Sequence, residues 1–189
     1  GKKRFPYNEE DQPNPLSVYG RSKFEAEEWL KSYSRSVWII RTSWLFGKKG
    51  NNFFRTVFRK ALGGEELRVV NDQKGVPTYT KDLAKALKIL IEKGDRVDGF
   101  RIYHLANDGE TTWYQAARKV LERSGLNVSL VPISSQELKR PAERPLNSIF
   151  DMTRIKKDYG IALRSWEEAF DEFWGDVLEK EWQSLTRPQ

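Results

Sequence analysis

Leu16-Ser17-Val18-Tyr19-Gly20-Arg21-Ser22-Lys23-Phe24-Glu25-Ala26-Glu27 leads into Val37-Trp38-Ile39-Ile40, and these two stretches decide the fold class. In the first, Leu16, Tyr19, Lys23, Ala26 and Leu30 recur at three- and four-residue steps, so a helix from about Leu16 to Tyr33 would put them on one face. Pro15 suits the first turn of such a helix, with Asn14 as its cap. The second stretch is a continuous apolar run without alternation. That is the pattern of a strand covered on both faces, as in a parallel sheet.

The alternation continues outward. A helix is expected from about Asn52 to Leu62, closed by Gly63-Gly64. Leu67–Val70 reads as a strand, and a helix capped by Asp82 runs to Glu92 with Leu83, Leu87, Leu90 and Ile91 inward. Phe100–Leu105 is a third strand, Thr111 or Thr112 caps a helix that stops at Gly125, and Val128–Val131 is a fourth strand. Ser134-x-x-Glu137 and Ser165-x-x-Glu168 each match a capping box. Between them, Arg140-Pro141-Ala142-Glu143-Arg144-Pro145 is incompatible with regular structure. Residues 1–14 read as a polar loop broken by Pro6 and Pro13. Strands alternating with helices indicate an α/β protein.

Composition narrows the function classes. Of 189 residues, 38% are hydrophobic and 13% aromatic, enough for a sizeable core. No stretch approaches the ~20 apolar residues of a membrane span, and no charged-then-apolar leader is visible, so a soluble, cytoplasmic protein is expected. The absence of cysteine excludes disulfides and thiolate metal sites, and one histidine supplies a zinc site poorly, so no metal is expected. The net charge of +6 comes from 33 basic residues dispersed among 27 acidic ones, with no dense basic run, which argues against nucleic acid as a partner.

Tyr19 and Lys23 stand four residues apart on the expected helix, within reach of a shared ligand. A cation beside a phenol favours phenolate, and a phenol so placed can serve as an acid–base group. The spacing alone equally describes a tyrosine packed on an amphipathic face beside a solvated lysine.

The surrounding residues carry more. Asn14–Glu27 resembles the catalytic helix of extended short-chain dehydrogenases. It is followed by Arg41-Thr42-Ser43-Trp44-Leu45-Phe46-Gly47, Gly50-Asn51-Asn52-Phe53 and Asn71-Asp72-Gln73-Lys74-Gly75-Val76-Pro77-Thr78. Tyr103-His104-Leu105, Thr112-Trp113 and Arg144-Pro145-Leu146-Asn147-Ser148 complete the series. This ordered set resembles the dTDP-4-dehydrorhamnose reductase family over nearly the whole chain.

The resemblance implies a remnant of a Rossmann-like parallel sheet with the catalytic helix over residues 1–62. Residues 63–189 would form a smaller α/β substrate-binding domain, some segments returning to the first. It implies reduction of the 4-keto group of dTDP-6-deoxy-L-lyxo-4-hexulose by NADPH or NADH, giving dTDP-L-rhamnose. Tyr19 would donate the proton, and Lys23 would bind the nicotinamide ribose. The Arg41, Thr42 and Ser43 backbone would lie near the nicotinamide, and Trp44 would line the sugar pocket. Asn51, Asn52, Asp72, Gln73 and Thr78 would lie about the nucleotide, with Arg144 on the diphosphate. Blander roles remain open for several: core packing for Trp44, helix capping for Asn51 and Asn52, surface charge for Arg144. His104, mid-strand, is expected to be structural, and Gly47-Lys48-Lys49-Gly50 is a turn because no Ser or Thr follows a Gly-Lys pair.

No Gly-x-Gly-x-x-Gly or Gly-x-x-Gly-x-x-Gly turn occurs in the sequence, although a dinucleotide fold needs one. The family carries that turn, and a Ser or Thr partner for the tyrosine, ahead of the region matched here; Ser17 and Ser22 do not match that hydroxyl. The Val37–Ile40 strand should then have few neighbours and the helices should show apolar faces, so a homodimer, or pairing with a missing N-terminal half, is expected. The competing reading is a non-catalytic sugar-nucleotide-binding or regulatory subunit of the same fold.

Overall fold

The computed structural model describes residues 1–33, 36–93 and 99–186. Helix α1 spans Val18–Tyr33. It begins later than expected: Asn14, Pro15 and Leu16 stay outside, and Ser17 Oγ accepts from the Gly20 amide at 3.1 Å instead. Strand β1 (Ser36–Arg41) follows, then β2 (Leu45–Phe46) and α2 (Phe53–Leu62). Strands β3 (Leu67–Val70), β4 (Lys74–Gly75) and β5 (Thr78–Tyr79) lead to α3 (Thr80–Lys93). Strand β6 (Gly99–His104), β7 (Thr111–Thr112), α4 (Trp113–Ser124) and β8 (Leu130–Ile133) come next. Short helices α5 (Ser135–Leu138) and α6 (Thr153–Tyr159) precede α7 (Trp166–Phe173), which widens into a π-helical turn over Trp174–Leu178 and continues as α8 (Glu179–Thr186).

The strands form pairs: β1 with β6, β2 with β5 and β3 with β8 run parallel, and β4 with β7 antiparallel. The α/β class with parallel pairing therefore holds. β1 has one partner among the described residues and stays half-buried from Val37 to Arg41. Two apolar clusters support these pairs. One gathers Phe54 and Phe58 of α2, Val120 of α4 and Phe170 and Phe173 of α7. The other gathers Ala86 and Leu90 of α3, Tyr103 and Leu105, and Ile155 of α6, with Trp38 and Ile40 against it.

Three local expectations need correction. Asp82 is no cap: α3 starts at Thr80, and the Asp82 carboxylate accepts from Arg164 Nε at 2.8 Å, Arg164 Nη2 at 3.0 Å and Asn107 Nδ2 at 3.0 Å. Ile91 points outward at 72% exposure, because the inward row of α3 runs through Asp82, Ala86 and Leu90. β8 begins at Leu130, two residues after the Val128 expected, because its register is set by pairing with Leu67–Val70 and not by its own apolar content.

The three expected caps at Thr112, Ser134 and Ser165 are all present as reciprocal capping boxes. The N-terminal loop is stitched down: Tyr7 N donates to Ile149 O at 2.8 Å, and the Asn147 amide donates to the Lys3 and Phe5 carbonyls.

Candidate functional site

Helix α1 buries none of its side chains. Tyr19 is 72% exposed, and the Lys23 ammonium lies 5.4 Å from the centre of its ring. The helical step thus places phenol and cation together, as the spacing predicts. What ties α1 to β1 is a bidentate ion pair. Arg41 Nε donates to Glu27 Oε1 at 2.9 Å and Nη2 to Oε2 at 2.5 Å. The Arg41 side chain is therefore committed to holding α1, and its carbonyl accepts from Leu105 N at 2.9 Å.

Tyr19 stands at the wall of a cavity of about 980 Å³, shared with Thr42, Ser43, Trp44, Gln73, Trp113 and Arg144. The order of these residues follows from the end of β1. Ser43 is buried and its hydroxyl donates to Val76 O at 2.8 Å, pinning the strand end to the loop after β4. The Thr42 hydroxyl oxygen is buried without a hydrogen-bond partner among the described residues. A buried hydroxyl on a cavity wall with nothing to bond is a place for a polar ligand group, since leaving it unsatisfied costs free energy. Trp44 adopts φ 43 and stacks on Trp113, ring centres 3.6 Å apart and 11° from parallel.

A second cavity of about 810 Å³ lies across the Arg140–Leu146 loop and is lined by Asp72, Gln73, Ser135, Lys2, Arg140 and Arg144. Gln73 and Arg144 belong to both. Asp72 is engaged, accepting from Ser135 N at 2.8 Å and Ser135 Oγ at 2.6 Å; Gln73 Nε2 donates to the same hydroxyl at 2.8 Å. Burial, and then the neighbouring Arg144 charge, hold the Arg140 guanidinium below its usual pKa. Neither arginine has an ion-pair partner among the described residues, so this loop, which also brings Glu143 to both cavities, has two guanidinium groups to offer an anion.

The structure does not bring every expected residue to these cavities. Asn51 is exposed and lines neither. Asn52 caps α2: its Oδ1 accepts from Arg55 N at 3.1 Å and its Nδ2 donates to Gly47 O at 3.1 Å, so the amide is consumed locally. Thr78 is fully buried in β5, and its amide donates to Trp44 O at 3.2 Å, which makes it a support beneath Trp44. His104 is structural, as expected: it is 1% exposed, its Nδ1 bonds Tyr7 O at 3.0 Å, and its ring lies 4.3 Å from that of Phe150. Sequence reading did not single out Trp113, Arg140, Ser148 or Phe150 as wall residues. Trp113 sits next to the α4 cap and Arg140 in the proline-rich loop, and only tertiary packing turns them toward the cavities.

Parallel strand pairs flanked by helices, with the Tyr-x-x-x-Lys helix against one of them, place the chain in the extended short-chain dehydrogenase/reductase class. A family model described as the RmlD substrate binding domain matches residues 1–178, and the chain belongs to that family. It is 39% identical over 173 residues to a spore coat polysaccharide biosynthesis protein, SpsK, of Bacillus subtilis, covering 92% of this chain and 59% of that protein. It is 37% identical over 176 residues to a dTDP-4-dehydrorhamnose reductase of Sinorhizobium fredii, covering 89% of this chain and 60% of that one. Among solved structures, the dTDP-4-dehydrorhamnose reductase of Bacillus anthracis, in complex with NADP, superposes with a TM-score of 0.84 at 35% identity, covering 91% of this chain and 60% of that one. The Clostridium acetobutylicum reductase superposes with a TM-score of 0.87 at 34% identity, covering 95% and 62%. The chain thus spans about 60% of the length of these relatives.

Proposed function

We propose that this chain carries the proton donor and the sugar-nucleotide pocket of a reductase acting on the 4-keto group of dTDP-6-deoxy-L-lyxo-4-hexulose, with dTDP-L-rhamnose as product. The observation that carries the reading is Tyr19, with the Lys23 ammonium 5.4 Å from its ring centre, on the wall of a cavity that Trp44, Gln73 and Arg144 also line. Residues 1–62 would contribute the catalytic helix and last strand of the cofactor-binding half, and the remainder mainly the substrate domain.

Residues present fit the nicotinamide and its ribose, while the glycine-rich turn for the pyrophosphate does not occur in this sequence. The orphaned Thr42 hydroxyl beside Ser43 offers a polar partner to a carboxamide, and Lys23 has no ion-pair partner among the described residues that would compete with ribose hydroxyls. The cofactor, NADPH or NADH, supplies the hydride that reaches the carbonyl carbon. The Tyr19 phenol donates its proton to the carbonyl oxygen as that carbon is reduced, leaving a phenolate that the Lys23 ammonium stabilises and solvent reprotonates. Trp44 offers its indole to the pyranose. Gln73 lies on the wall common to the two cavities, with Asp72 beside it in the second, and Arg144 would face the diphosphate.

The test is NAD(P)H oxidation in the presence of the keto-sugar nucleotide. Turnover abolished by Tyr19→Phe supports the reading. Turnover unchanged by that substitution would sink it. Tight binding of dTDP-sugar with no turnover in the intact protein would favour a binding or regulatory subunit instead.

A further inference from the structure

Trp44 is held in a way that a simple core indole is not. Its φ of 43 lies in the left-handed region, which bulky side chains rarely adopt. Such a conformation persists only when its surroundings over-determine it, and here three contacts do. Trp113 covers one face of the indole at 3.6 Å between ring centres. Gly75 lies over the Cε2–Cζ2 bond of the indole, on the face away from Trp113: a Cβ added there would stand 2.5 Å from Trp44 Cε2, 2.6 Å from Cζ2 and 2.6 Å from Ser148 Oγ, so no larger residue fits without displacing the ring. The Thr78 amide holds the Trp44 carbonyl.

The support is itself rigid. Gly75 pairs with Thr111 in the β4–β7 ladder, and Trp113 follows two residues after Thr111. Thr112 caps α4 through a reciprocal box with Gln115, and its hydroxyl donates to Asn71 Oδ1 at 2.8 Å. Phe53 packs against Trp113 with ring centres 4.6 Å apart and the planes tilted by 56°. Both indoles are only partly buried, and both line the cavity that holds Tyr19. The Trp44 indole is thus held between Trp113 and the Gly75 backbone.

We propose that Trp113 and Gly75 are positioning residues for the sugar pocket: together they fix the orientation of the Trp44 indole on the wall that a deoxyhexose would meet. The proposal rests on the reductase reading of this cavity. It assigns to Trp113 a part in specificity that neither its spacing nor its place at the start of α4 announces.

Two independent readouts test it. Stacked indoles couple their transitions and give a paired positive and negative band in far-ultraviolet circular dichroism, measured on the protein without ligand. Trp44→Phe and Trp113→Phe should each abolish that couplet, and Gly75→Ala should diminish it while leaving both indoles present. Steady-state kinetics with the keto-sugar nucleotide should show KM rising about three- to tenfold in Trp113→Phe and Gly75→Ala, with a smaller change in kcat, the size expected from an aromatic pair. Trp113→Phe retains an aromatic ring against Phe53, so it remains interpretable if Gly75→Ala melts early. A couplet that survives in Trp113→Phe overturns the stack. Lost couplets with unchanged KM in both variants overturn the positioning role while leaving the reductase reading standing. A wild-type protein that shows the couplet but neither binds nor reduces the sugar nucleotide overturns the functional reading and the proposal with it.

Discussion

Replacing Glu27 by alanine should loosen the helix that carries Tyr19 and Lys23 without unfolding the rest of the molecule. Helix α1 contributes no buried side chain, so its attachment depends heavily on the Arg41–Glu27 pair, whose side chains are 22% and 16% exposed. Fully exposed ion pairs contribute about 0–1 kcal/mol, whereas breaking a fully buried one costs about 3–5 kcal/mol. A bidentate, mostly covered pair falls between these limits, at about 2 kcal/mol, which corresponds to roughly a thirtyfold change in a local opening equilibrium. Hydrogen–deuterium exchange resolved by peptide should therefore show α1 amides exchanging about thirtyfold faster in Glu27→Ala, with α2 and α4 unchanged, since these pack in a cluster that α1 does not enter. Glu27→Gln keeps an acceptor and should show a smaller effect. A double-mutant cycle with Arg41→Met should return most of the energy as coupling. If α1 exchanged at the wild-type rate, or if every helix accelerated equally, the argument that this pair anchors α1 would be wrong.

Tyr19→Phe should lower turnover by about 10²–10⁴, the range for loss of a positioned general acid, while dTDP-sugar binding measured by calorimetry persists; a loss of binding of similar size would mean a packing role instead. Asp82→Ala removes the acceptor for Arg164 and Asn107 and should cost about 3 kcal/mol, which scanning calorimetry should read as a melting temperature lower by roughly 6–12 °C; a shift under a degree or two would contradict it. Phe170→Ala empties a fully buried site beside Phe54, 4.7 Å away, and should cost about 3–5 kcal/mol in a urea titration. Burial holds the His104 imidazole below its ordinary 6.5, with Arg41 adding to the effect and Glu9 opposing it. The unfolded state therefore binds the proton more readily, so this contribution to stability is present above about 6.5 and is lost as pH falls below it toward the folded value. His104→Gln should flatten the fall in stability on acidification, and an unaltered slope would refute the assignment.

Much of the chain could be read locally. The capping boxes at Thr112, Ser134 and Ser165, the cap at Asn52, and the strands around Val37–Ile40 and Leu67–Val70 all stand where their residues predict. The corrections fall where a distant segment intervenes. Asp82 reads as a cap until Arg164, far along the chain, claims its carboxylate. Ile91 reads as core until the position of α3 turns its side chain outward.

Sequence alone determined the α/β class, the pairing of Tyr19 with Lys23 and the family resemblance, because these depend on contacts three or four residues apart or on ordered motifs. Tertiary structure alone decided that Arg41 anchors α1 through Glu27, that the buried Thr42 hydroxyl has no hydrogen-bond partner among the described residues, and that Trp113 and Gly75 hold Trp44 in a left-handed backbone. The first and third join segments whose proximity is set by strand register and helix packing. No spacing rule within one segment encodes which side chain a neighbouring segment will meet.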